Sequence, residues 1–524
     1  MAEGRSRDRW NHTAAILALT ANCHRAKFVF RTFGSDNLVQ KMRPLVQNLG
    51  MGKHLDSENH GGRTMECTTT FMGLLDVFQP AFTQPSFATF RLLMTGWILS
   101  HRHRYVTDLI ISSDSVGHGH FSDYHRFFSQ ARWSLDLVWH LLARLLIQVL
   151  VGPDAVIHLA GDDTLCRKRG LGLFGAGMHH DPLISSKAKK LVSWGHDWVT
   201  LCLVIVNPWW APTKVFALPI CMRLYRNRQG LTKGKKKQTK GKNTKAKKSP
   251  AKNPNHRTRP ELMREMLKTV ARWFPHRRFL FVGDSLYTGE SVLRYLPENM
   301  HMIGQVHPNG AMYEPAPPKT PGRGAGRKKG ARLSTKEEWA NDGSAWTSLK
   351  FHQYGLHTTL GTKTRRGLYY KAGKDRLLTF VLTRDLEGKR PPQIFYCTDL
   401  TMDVRRILSA YSCRWSIEVT HHDAKQYLGL EDPANRLPLA VERTAPMAMF
   451  LYSLTVLWYA EHGHAHVRFP LRPWYRRKRE PSFADMLTTL RRLSWEEKLS
   501  TGQSGASLPN KNLNLLTYLA TLTG

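Results

Sequence analysis

Tyr411, Arg414, Glu418 and Lys425 are separated by three, four and seven residues, which puts them on one stripe if the segment is helical. Ile407, Ala410, Ile417, Ala424 and Leu428 form an apolar stripe beside it. Such a helix would pack on a core while presenting a phenol, a guanidinium, a carboxylate and an ammonium together. The simpler alternative is an Arg414–Glu418 pair on a solvated face, worth roughly a few tenths of a kcal/mol. Two further carboxylates follow hydrophobic runs that read as buried strands. Asp162-Asp163-Thr164 ends the run from Ala155 to Gly161, and Asp284-Ser285 ends the run from Arg278 to Gly283. For any single Asp after a strand, a turn or capping role is the plainer reading.

The stripe resembles the YREK signature of bacterial insertion-sequence transposases, the IS-four-like group of DDE enzymes. Tyr, two residues, Arg, three residues, Glu, six residues and Lys all fall at that family's spacing. The resemblance covers roughly residues 150–440. It implies a triad of metal-binding carboxylates, Asp163, Asp284 and Glu418, with Tyr411, Arg414 and Lys425 on the DNA side and the two cations at phosphate near the cut. In that family the first Asp directly precedes a Thr or similar small residue, and here Asp163 precedes Thr164. Asp163 is therefore expected to be the ligand, and Asp162 to orient the strand end. Strand alternation sends the two side chains to opposite faces. Both faces of a central strand can be covered, so parity alone does not decide between them.

Carboxylates converging from separate elements repel unless a cation lies between them. Mg²⁺ suits hard oxygen ligands and keeps waters for chemistry. Two ions roughly 3.5–4 Å apart would clamp the attacking and leaving oxygens of an in-line phosphodiester displacement. The expected cofactor is thus a pair of Mg²⁺ ions, with Mn²⁺ able to substitute. Asp163 would bridge them, with Asp284 on one and Glu418 on the other. Arg414 would grip a phosphate as a bidentate fork and Lys425 as a point charge.

The elements that must position these groups lie in a 524-residue chain, long enough for two to four domains. Its 77 Lys and Arg against 40 Asp and Glu give a net charge of +37, a field that favours a polyanion. Nucleic acid is the first candidate partner and an anionic membrane surface the second. The seven Cys are scattered without a CxxC pair, which argues against a disulfide framework or structural zinc and fits a reducing cytoplasm. The polar first nine residues lack the apolar stretch of an export signal. The apolar run from Ala445 to Ala460 contains Pro446 and Ser453 and reads as a buried helix rather than a bilayer span of ~20 residues.

In chain order, residues 1–150 read as helical, with basic and aromatic side chains in Arg102-His103-Arg104 and in Phe121 to Phe128. A helix-turn-helix-like DNA reader fits that segment, as does a plain bundle. Residues 151–306 alternate strands and helices, interrupted at 226–259 by a low-complexity run of fourteen Lys or Arg and no acid, expected to be disordered. Residues 307–400 begin with Pro315, Pro317, Pro318 and Pro321 and continue with three extended segments. The YREK group carries a mostly β insertion domain at this point. Residues 401–436 carry the Glu418 helix, and 437–524 read as helical.

The resulting expectation is an α/β chain. An RNase H-like core is split by a β insertion and flanked by helical N- and C-terminal regions. The function the resemblance implies is cut-and-paste transposition. Hydrolysis would free a 3′-OH at the element's terminal inverted repeats, and the 3′-OH would then join target DNA, in a homodimer on the bacterial nucleoid. Two alternatives stand beside it: a metal-dependent nuclease or domesticated transposase that cuts without joining, and an inactive basic DNA-binding protein. His179-His180, His421-His422 and the His462–His466 cluster lack matched Cys or acids and read as surface or DNA-facing. Family members that form hairpin ends stack an insertion-domain Trp on a flipped base. Trp339 and Trp346 are the candidates here, with packing against the inserted sheet as the simpler role.

Overall fold

The computed structural model describes residues 65–502 and 519, apart from 187, 228–255, 320–325, 354–355, 387, 389–390 and 470–477. The Lys-rich insertion expected to be disordered therefore lies almost entirely outside the described residues, as do residues 1–64 of the expected DNA-binding region. The elements below belong to one compact unit, residues 64–351 and 358–524.

Five helices come first: α1 (Thr69–Asp76), α2 (Gln84–Leu99), α3 (Val106–Ser112), α4 (Phe121–Ser129) and α5 (Leu135–Leu150). Proline marks the breaks, with Pro80 opening a 3-10 turn and Pro85 in the first turn of α2. The aromatic side chains of α4 point inward: Tyr124, Phe127 and Phe128 are buried. Phe78 and Phe90 meet Phe450 edge-on, at ring-centroid distances of 4.8 and 5.9 Å. The helices thus form a bundle around α12 (Pro438–Glu461), which is buried along almost its whole length. Among the described residues no helix is long and apolar enough to cross a membrane.

The strands are β1 (Ile157–Arg167), β2 (Gly177–His180), β3 (Val192–Val206) and β4 (Val215–Tyr225), then β5 (Phe279–Gly283) and β6 (Met300–Gln305). They order as β4-β3-β1-β5-β6, with β2 also on β3. β1, β3 and β4 are antiparallel neighbours, while β1, β5 and β6 run parallel. This mixed sheet with flanking helices is compatible with the RNase H-like core expected from the sequence. α6 (Arg259–Trp273) crosses one face. It opens on a capping box, in which Thr258 and Glu261 exchange side-chain bonds with each other's backbone, and Pro260 lies in its first turn. A Cβ on Gly161 would lie 2.4 Å from the Met263 methyl, so glycine at that point lets α6 rest directly on β1.

After the short α7 (Glu290–Leu293) and α8 (Lys336–Ala340) come β7 (Thr347–Gln353), β8 (Leu356–Leu368), α9 (Tyr370–Gly373), β9 (Leu377–Asp385) and β10 (Gln393–Cys397). β10 pairs antiparallel with β6, and the order continues β10-β9-β8-β7. The β-rich segment is present, but its strands extend the core's own sheet. α10 (Val404–Cys413) and α11 (Ser416–Leu428) then cover the face opposite α6, and α13 (Phe483–Gly502) closes the described chain. Ile407 and Leu408 pack with Leu280, Val282 and Ile303, and Ile417 packs with Cys202 and Ala217.

Candidate active site

β1 keeps its antiparallel partner β3 through Arg167 but loses its parallel partner after Gly161, which stands opposite Gly283. Asp162 and Asp163 therefore sit inside the strand, not at its end, at the point where one neighbour has stopped. With no further ladder on that side, the Asp163 amide donates to the Asp162 Oδ1 at 2.9 Å. The next residue of β5 is Asp284. Its Oδ1 accepts from the amides of Leu286 and Tyr287 at 2.9 and 3.2 Å, which bends the chain into a turn beside Asp162.

The stripe Tyr411–Lys425 is not one uninterrupted helix. α10 ends at Cys413 and α11 begins at Ser416, with Arg414 and Trp415 in a tight helical junction. There the amides of Arg414, Trp415, Ile417 and Glu418 bond three residues back. This junction aims Arg414 at β1. Its Nη1 lies 2.7 Å from Asp162 Oδ2, and its Nη2 lies 3.5 Å from Glu418 Oε1. Glu418 is half-exposed, while Asp162 and Arg414 retain 19 % and 14 % side-chain exposure. Burial, reinforced by Asp163 and Asp284 and opposed by Arg414, pushes the Asp162 carboxyl up to about 7. Burial also raises Glu418, against the pull of Arg414, and Asp284 adds to the rise. Asp162, Asp284 and Glu418 thus share one charged neighbourhood with Arg414 at its centre.

Asp163 points to the other face, toward α6. Its Oδ1 accepts from the Tyr287 hydroxyl at 2.5 Å and its Oδ2 lies 3.6 Å from Arg259 Nε. Arg259 in turn grips Asp197 of β3 through both Nε and Nη2. Burial raises Asp163 as well, with the Tyr287 hydrogen bond opposing. The expected trio therefore separates. Asp284 and Glu418 gather with Asp162, and Asp163 enters a different network. The side-chain partners, rather than the DxT-like sequence context, discriminate the two. Parity could have found this only with knowledge of which face α6 covers.

The other stripe members have protein partners. Lys425 Nζ donates to the Leu165 carbonyl at 2.6 Å and pairs with Glu431 at 3.3 Å. Tyr411 donates to Gln305 Oε1 at 3.4 Å and packs its ring on Phe395. Trp339 is buried under Arg365, whose guanidinium lies 3.8 Å from its ring centroid. Trp346 is half-buried with Lys363 and Arg384 on its ring at 4.6 and 4.4 Å. His179 and His421 are buried rather than facing a surface. The six described cysteines are unpaired.

In donor chemistry, the three oxygens-only side chains on the Arg414 face suit a hard divalent cation. In spacing they do not yet do so: among the described residues no three His, Cys, Asp or Glu side chains are gathered to hold an ion. A guanidinium lies between two of the carboxylates instead, neutralising the charge that a cation would otherwise meet.

A family model described as "DDE superfamily endonuclease" matches residues 77–367, more than half of the chain. The match takes in Asp162, Asp163 and Asp284 and ends before Arg414 and Glu418. No curated protein matches the chain.

Proposed function

We propose that this chain, which belongs to the DDE superfamily endonuclease family, is a cut-and-paste DNA transposase of the YREK group whose reacting carboxylates are Asp162, Asp284 and Glu418. The observation that carries the reading is the convergence of those three on Arg414, from β1, the β5 turn and α11, where the two central parallel strands part. The family implies a DNA substrate, which the charge of +37 suits.

Endonucleases of this family usually use divalent metals, and Mg²⁺ is the ion these carboxylates suit. When bound, it would supply charge neutralisation and an activated water for phosphodiester hydrolysis. Asp162, Asp284 and Glu418 would hold it, with Arg414 released from Asp162. The protein's own part is clear in outline. Arg414, a planar fork on a tight junction, exchanges its carboxylate partners for a DNA phosphate. Burial of Asp162 keeps water and competing ions from its carboxylate until a cation of higher charge arrives. Tyr411 and Lys425 act from behind this front, fixing α10 to β6 and α11 to the end of β1. We propose further that residues 307–400 serve as the insertion of this group, and that the active form is a homodimer bridging two terminal inverted repeats.

Incubating the purified full chain with labelled duplex carrying its element's ends and Mg²⁺ tests the reading. Joined products support transposition, cut products alone leave a nuclease, and no cutting with DNA still bound leaves an inactive binder.

A further inference from the structure

The β5 ladder ends at Gly283, so no sheet bond fixes Asp284 or the turn that follows it. A single side chain does so. Tyr287 is fully buried, its amide donates to Asp284 Oδ1, and its hydroxyl reaches across to Asp163 Oδ1 on β1 at 2.5 Å. One residue thus grips Asp284 with its backbone and the neighbouring strand with its phenol. The far end of the turn is pinned as well. Thr288 Oγ1 donates to the Asp284 carbonyl at 2.6 Å, and Tyr396 of β10 donates to the Thr288 carbonyl. Thr288 rests where a Cβ on Gly304 would stand, 2.4 Å away, so β6 needs glycine there for the turn to seat. Asp163 is anchored in its turn by Arg259 of α6, itself held by Asp197 of β3. Both Asp163 oxygens are engaged by protein donors, on the face away from Glu418.

We infer that Asp163 and Tyr287 form a brace that sets the Asp284 turn against Asp162, so that Asp163 is a positioning residue and not a reacting carboxylate. The inference rests on the assignment of Asp162 and Asp284 proposed above. Partners that orient a ligand-bearing group cost about 10–100-fold in metal affinity or activity when lost, well short of the complete loss expected for a ligand.

The experiment uses the full chain with Tyr287→Phe, Asp163→Asn and the double variant. Amide hydrogen exchange is read in peptides spanning residues 284–289, alongside DNA affinity and cleavage rate at saturating DNA. The brace predicts faster exchange of the Leu286 and Tyr287 amides in each single variant and no further increase in the double. DNA affinity should be unchanged, cleavage slower by about 10–100-fold, and half-saturation in Mg²⁺ shifted upward. Unchanged exchange in Tyr287→Phe overturns the brace. So does Asp163→Asn losing all cutting, as Asp284→Asn should, while Tyr287→Phe cuts at wild-type rate. Failure of the wild-type chain to cut DNA would defeat the proposed function alone, and the exchange arm still decides the brace. Should Asp163→Asn not fold, Tyr287→Phe, which removes one oxygen and keeps the ring, carries the test.

Discussion

Asp162 and Asp163 are chemically identical neighbours with opposite surroundings, and the difference is set by side-chain direction. Asp162 faces α11, where Arg414 and Glu418 wait, and Asp163 faces α6 and Arg259. The sequence made the pair conspicuous and could not order it, because alternation gives two faces without saying which helix covers each. Asp284 and Glu418 were legible for a sturdier reason. One ends a short apolar strand, and the other lies on a stripe whose spacing survives the junction at Arg414 and Trp415, since both residues keep right-handed helical angles. A cysteine scan separates the two aspartates. Asp162→Cys should be inactive in Mg²⁺ and partly restored in Mn²⁺, because a thiolate prefers the softer ion. Asp163→Cys should go on cutting in Mg²⁺ at a reduced rate. Rescue by Mn²⁺ at position 163, with Asp162→Cys active in Mg²⁺, would return the role to Asp163. Arg414→Ala should slow cutting by at least about 10-fold through loss of phosphate contact, which DNA-cleavage kinetics at fixed Mg²⁺ will read.

Among the elements, the long apolar strands and the helices bounded by Pro80, Pro85 and Pro260 were readable from periodicity and breakers. β2 and the first half of β8 were not, because polar and aromatic residues on an edge carry no clean alternation. β1 was expected to stop at Gly161, yet it runs to Arg167 because β3 continues to pair with its polar half. That polar half is held by Asp181, which accepts from Arg167 Nε at 2.7 Å, Ser193 Oγ at 2.6 Å and the Leu183 amide at 3.1 Å. The Arg167 hydrogen bond, foremost, holds the Asp181 carboxyl down at about 2, below its ordinary 3.8. Its contribution to stability is therefore complete above about pH 4 and is lost as pH falls through about 2. Asp181→Asn should cost about 1.5–3 kcal/mol at neutral pH and give a shallower loss of stability between pH 4 and 2, followed by acid unfolding monitored by circular dichroism. An unchanged acid limb would mean that the Arg167 bond is not formed in solution.

The whole molecule combines a strongly basic chain with a site that gathers acids, and the two suit each other only around a polyanion whose charge the site must also meet. The N-terminal helices were legible as helices. Their packing around α12 was not, because the buried aromatic contacts Phe78–Phe450 and Phe90–Phe450 span more than 350 residues of sequence. Residues 233–252 carry ten lysines and lie between the end of β4 at Tyr225 and the start of α6 at Arg259. Their deletion should leave the thermal transition of the folded unit in place while making the salt dependence of DNA binding shallower. Loss of folding in that variant would give the segment a structural task.

The central claim is that Glu418, outside the matched family region, completes an acid site that cuts DNA. Glu418→Gln removes one negative charge with almost no change of shape. In a single experiment with labelled element-end DNA and Mg²⁺, the variant should bind DNA with wild-type affinity and produce no cut strand. Cutting at the wild-type rate by Glu418→Gln would contradict the account.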